Sequence, residues 1–165
     1  MPNDLIDAGL AALAFARQAT LSIIDALPED KILHQPFPGA NHAMWILGHL
    51  ACTDEFFMNK IDGRAFNKFE AWQGKFFMNS KPTANAADYP TLAEVKETLA
   101  NNRESLISCF KNMDEAKLRE PLPDDLQTFA PSHAALIPTI AWHEGMHTGQ
   151  LTVIRKSLGL DPVFG

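Results

Sequence analysis

Two histidines four residues apart, His143 and His147, stand in the segment His143-Glu144-Gly145-Met146-His147-Thr148-Gly149-Gln150, inside an apolar stretch that reads as the last long helix. An i, i+4 spacing advances about 400° around a helix, so both imidazoles leave one face a turn apart and can converge on one ion. Two ligands rarely make a tight site. His49, in Leu47-Gly48-His49-Leu50-Ala51, is the best applicant for the third place. It lies midway along another apolar helical run, where an unpaired imidazole is costly, and imidazole suits zinc, nickel, copper or iron.

The other histidines are weaker ligand candidates. His42 precedes His49 by seven residues and shares its face, but at about 10 Å along the helix it is too far to join the same ion and reads as a polar residue at the helix end. His34 falls in a loop. His133 lies about 80° off the face of His143 in an uninterrupted helix, and both read as surface residues. The string His143-Glu144-x-x-His147 also matches the zincin motif, whose Glu is general base to a zinc-bound water. That reading lacks support downstream: only the 18 residues from Thr148 to Gly165 follow, with no histidine and one acid, Asp161. Glu144 is rotated about 100° from His143, so it is expected to face solvent or to hydrogen-bond a ligand imidazole from outside. Gln150, seven residues after His143, falls on the chelating face and either bonds a ligand histidine or bridges to a neighbouring helix. Cys52 can line the same cavity, although small buried thiols usually only pack.

The elements that must position these groups are helical. Leu5, Leu10, Leu13, Phe15, Leu21, Ile24 and Leu27 recur at helical spacing from Asp4 to about Leu27, where Pro28 and a loop to Gly39 intervene. Asn41 can cap a second helix, whose apolar face (Met44, Trp45, Leu47, Leu50, Phe56, Phe57, Ile61) ends at Asp62-Gly63. Thr91 with Glu94 forms a capping box for a third, to about Met113, and the fourth starts near Ser132 or Pro138 and ends at Leu158-Gly159. No useful period-two alternation and no internal repeat occurs. The economical fold is an all-α four-helix bundle in one domain, residues 1–165. The connection between helices two and three, about Asp62 to Pro90, is long but carries Phe66, Phe69, Trp72, Phe76, Phe77 and Tyr89, so it is expected to pack. A crossover of that length lets two consecutive helices point the same way; a lid over the site is the alternative.

A net charge of −6, from 14 Lys+Arg against 20 Asp+Glu, gives no basic excess to attract nucleic acid or anionic membranes. No apolar run approaches the ~18 residues a spanning helix needs, and Met1-Pro2-Asn3-Asp4 carries acid rather than base, so a cytoplasmic location is expected. Two cysteines, Cys52 and Cys109, make neither a disulfide framework nor a CxxC motif.

The combination of Trp45-x-x-Gly48-His49-Leu50 in the second helix with His143-x-x-x-His147-x-Gly149-Gln150 in the fourth resembles the DinB-like (DinB/YfiT) metalloenzyme family. Length, helix order and the long second connection also fit. The resemblance implies a bundle with a long crossover between helices two and three, often homodimeric, and a divalent metal, zinc or nickel in order of preference, on His49, His143 and His147. It further implies a metal-dependent hydrolase or a transferase or isomerase that uses a low-molecular-weight thiol such as bacillithiol or mycothiol, although most members have no assigned reaction. A non-catalytic, stress-associated metal-binding module is the rival, and an HExxH peptidase a remote one. No residue set singles out one thiol or electrophile.

Overall fold

The computed structural model describes residues 4–164, and among these there is no β-strand. Six α-helices follow one another: α1 (Asp4–Asp25), α2 (Ala43–Asp62), α3 (Phe69–Phe76), α4 (Leu92–Lys111), α5 (Glu115–Arg119) and α6 (His133–Ser157). The four long ones are those the periodicity predicts. The short α3 and α5 lie in the connections, below the length at which an apolar period can be read.

The ends follow local chemistry. His42, rather than Asn41, caps α2: its Nδ1 accepts the Trp45 N–H at 3.0 Å. Asn41 instead donates to Gln150 Oε1 of α6 at 3.2 Å. Gly63 closes α2 at φ 72°, a left-handed conformation open to glycine without a Cβ penalty. Thr91 caps α4 by accepting the Glu94 N–H at 3.2 Å. Ser132 caps α6 through the Ala135 N–H, so Pro138 sits inside the helix near its start, where it costs one helical hydrogen bond without ending the element.

Helix α1 packs along α6. Gly9 meets Ile137, Arg17 bonds Glu144, Thr20 bonds Thr148, and Arg155 bonds the Ala26 carbonyl, so residue numbers rise together along both helices. A Cβ on Gly9 would stand 2.9 Å from Ile137 Cγ2, so glycine sets how closely these helices approach. Likewise Asn102 of α4 donates to the Ala51 carbonyl of α2 and Arg103 to Asp54. The 62–90 connection therefore carries the chain back along the bundle before α4 begins. It is packed: Phe69, Trp72 and Phe76 are buried, and Glu55 of α2 accepts the backbone N–H groups of Asn67, Lys68 and Phe69, anchoring the start of α3 where its dipole favours an anion.

Two apolar clusters fill the interior, one around Leu47, Leu50, Leu99 and Leu151, the other around Leu13, Leu106, Leu136 and Ile140. A buried polar belt separates them at mid-height, with members on every long helix: Arg17 and Thr20, His49, Thr53 and Asp54, Asn102 and Arg103, Glu144 and His147. Phe15, expected in the apolar stripe of α1, instead faces solvent, because its position lies about 200° around the helix from the buried Leu13.

Candidate metal centre

The belt brings His49, His143 and His147 together, with one nitrogen of each within 4.8 Å of the others. The Nε2 atoms of His49 and His147 lie 3.3 Å and 3.2 Å from His143 Nε2. The outer nitrogens explain the orientation. His49 Nδ1 lies 2.9 Å from the Phe76 carbonyl and His147 Nδ1 3.2 Å from Gln150 Oε1. Both oxygens only accept, so each Nδ1 carries the hydrogen and each Nε2 turns a bare lone pair inward. Among the described residues His143 Nδ1 is buried without a partner.

Local sequence serves this geometry. A Cβ on Gly48 would fall 2.4 Å from the Phe76 ring, so glycine there lets Phe76 close on α2 and bring its carbonyl to His49. Trp45, one turn earlier, stacks on the His49 ring at 4.7 Å between centroids and 8° between planes. Gln150 binds His147 and also accepts from Asn41, so it both supports a site histidine and bridges helices, joining the two roles open from the sequence.

The bare Nε2 atoms of His49 and His147 both face His143 Nε2, which carries at most one hydrogen and can satisfy only one of them, whereas a cation satisfies all three. Protons are poor occupants. Burial first, and then the His147 and His143 charges, push His49 down to about 3, while burial and His147 push His143 down to about 4. His147 is also lowered, chiefly by burial. The imidazoles are therefore neutral at pH 7, the state in which they ligate. Two nitrogens each about 2.0–2.1 Å from a shared tetrahedral ion stand about 3.3 Å apart, so the spacings to His143 fit a divalent ion. The outer hydrogen bonds of His49 and His147 are those that orient ligand histidines.

Glu144 departs from expectation. It neither faces solvent nor touches an imidazole; it is 0% exposed and bonds Arg17 Nε at 2.6 Å, with Arg103 Nη1 2.8 Å from its other oxygen. Asp54 completes a quartet, 3.2 Å from Arg17 and 2.8 Å from Arg103. Two positive and two negative charges, one from each long helix, thus balance in the interior. Both Glu144 oxygens are engaged by guanidinium groups, so the HExxH string does not supply the free general base of a zincin. Arg17, Asp54 and Arg103 escaped the sequence reading, yet each left a signal. Each interrupts an apolar stripe: Arg17 between Leu13 and Ile24, Asp54 between Leu50 and Ile61, Arg103 between Leu99 and Leu106.

The remaining candidates stay outside the cluster. His42 donates from Nε2 to the Thr83 carbonyl at 2.9 Å, and His34 pairs with Ser157 at 2.9 Å. His133 is 3% exposed rather than on the surface, because its Nδ1 bonds the Glu120 carbonyl where the α5–α6 connection folds over it. Cys52 packs in the core, its thiol pushed up to about 12 by burial and the Glu55 charge, and does not ligate.

A cleft of about 330 Å³ reaches the cluster from outside and touches His49 and His143. Among the described residues no helix is long and apolar enough to cross a membrane. In comparison with known proteins, a sequence model of the DinB superfamily matches residues 12–151. No curated protein matches the chain.

Proposed function

Because the chain belongs to the DinB superfamily, we propose that it is a metal-dependent enzyme in which His49, His143 and His147 hold one divalent ion, zinc or nickel, with low-molecular-weight-thiol transfer as its reaction. The observation that carries the metal is the inward convergence of three neutral Nε2 atoms, two of them oriented by hydrogen bonds at Nδ1. The cleft that opens on two of the three ligands supports an enzyme over a closed structural site, since a catalytic centre keeps a coordination position for water or substrate. When bound, the ion supplies Lewis acidity that deprotonates a coordinated thiol or water at neutral pH.

This chain's own residues contribute orientation and water exclusion. The Phe76 carbonyl and Gln150 hold two imidazoles in one tautomer, and Trp45 covers the His49 ring. Glu144, held in the ion quartet, takes no part in proton transfer. A homodimer, tested by light scattering in solution, belongs to the same proposal, as does a cytoplasmic location, tested by cell fractionation. Metal analysis of protein purified without a histidine tag tests the centre: about one zinc or nickel per chain is expected. The thiol assay uses metal-loaded protein with several thiols and a chromogenic electrophile, against His49→Ala. No rate above that control with any thiol would remove the transferase reading.

A further inference from the structure

The cleft above the histidine cluster has one kind of wall. Phe56, Phe57, Phe77 and Ile140 form its sides, and Met78, Phe129 and Trp142 stand around its mouth at 60%, 47% and 67% exposure. Large apolar side chains left in water around one opening mark a binding site rather than a core. Three polar side chains of the lining are already committed. Thr53 Oγ1 donates to the His49 carbonyl at 2.7 Å, Thr139 Oγ1 to the Ala135 carbonyl at 3.0 Å, and Asp125 pairs with Lys60. Among the described residues no lysine or arginine lines the cleft. An anionic body placed there would lose water and find the nearby cation, Lys60 over the Phe56 ring, already neutralised by Asp125, a cost that apolar contact does not repay. At its floor the cleft meets the histidines His49 and His143.

Resting on the metal-site reading above, we propose that this cleft takes a neutral, largely apolar molecule: an aryl or alkyl body carrying a single donor atom directed at the metal. A cavity of about 150 Å³ suffices for benzene. At about 330 Å³ the cleft accommodates a ring with a short arm, and it touches His49 and His143 but not His147, so the arm enters from that side. A thiol carrying several carboxylates is excluded from this pocket by the same absence of cations.

The test uses the cobalt(II)-substituted full-length protein, with cobalt content measured after gel filtration and thiol binding read from the ligand-field and thiolate charge-transfer bands. Benzyl mercaptan and mercaptosuccinate each offer one thiol, on an apolar and a dianionic body respectively. Benzyl mercaptan is expected to bind about tenfold or more tightly than mercaptosuccinate. The double variant Met78→Lys with Trp142→Lys, at two exposed rim positions, is expected to narrow or invert that preference while keeping its cobalt. Cobalt retained with equal affinities for both thiols overturns the apolar assignment and leaves the metal centre standing, as does a preference that the lysines fail to move. Failure to retain cobalt overturns the metal centre, and the proposal with it.

Discussion

Replacing Glu144 by Gln separates the ion quartet from the zincin reading. The quartet holds two guanidinium groups and two carboxylates, and removing one carboxylate charge leaves one positive charge uncompensated where side-chain exposure is 10% or less. Gln has the same shape but cannot repeat both contacts. Whichever way the amide is turned, its NH2 faces a guanidinium, Arg17 Nε on one side or Arg103 Nη1 on the other. Breaking a buried pair from one side costs about 3–5 kcal/mol. For a chain of this size 1 kcal/mol shifts the melting point by roughly 2–4 °C, so Glu144→Gln is expected to melt about 6–20 °C lower. Thermal circular dichroism on matched metal-loaded samples measures this, with metal content determined in parallel. Metal per folded chain should remain near that of the wild type, because Glu144 contacts no ligand nitrogen. Pairing Arg17→Met with Glu144→Met tests the network itself: the two remaining charges, Asp54 and Arg103, still neutralise one another, so the double variant should lose less stability than the two single ones added together. A melting point for Glu144→Gln within about 3 °C of wild type would refute the quartet as a structural element. Chelator-sensitive casein cleavage, lost in Glu144→Gln, would restore the peptidase reading.

Three further outcomes follow from the same geometry. His147→Ala should lose most of the bound metal while His34→Ala, whose ring bonds only Ser157, should keep it, as plasma emission on dialysed protein will show. Chelation should lower the melting point, by about 2.7 kcal/mol of stability if free metal had stood a hundredfold above its dissociation constant, yet leave the helical dichroism intact at room temperature because two apolar clusters hold the bundle. The metal-free protein should weaken in acid. His49 and His143 are held below 6.5 in the fold, at about 3 and about 4, so the unfolded chain takes up protons first and stability falls as the pH drops through 6.5, continuing to about 4 for His143 and about 3 for His49. At pH 5 each histidine accounts for about 2 kcal/mol, from 1.5 pH units at about 1.4 kcal/mol each; urea midpoints equal at pH 7 and pH 5 would contradict this.

The four long helices were legible because each carries an apolar stripe repeated over five or more turns, and the pairing of His143 with His147 was legible because i, i+4 spacing within one helix needs no tertiary knowledge, whereas His49, on another helix, was singled out by its apolar run and by the family resemblance. The HExxH string misleads for the complementary reason. Spacing tells which way Glu144 leaves its helix but not what stands there, and only packing places Arg17 of α1 and Arg103 of α4 against it. The same holds for Gly48. Its lack of a Cβ acquires meaning once Phe76, 28 residues later, closes on it and supplies the acceptor for His49. His133 was expected at the surface because its own helix says nothing of the α5 connection that buries it. The cleft likewise draws its walls from α2, the segment after α3, the loop before α6 and α6 itself. Local periodicity therefore determined the helices and the ligand faces, whereas charge partners, second contacts and the pocket depend on groups distant in the chain and were decided by tertiary packing.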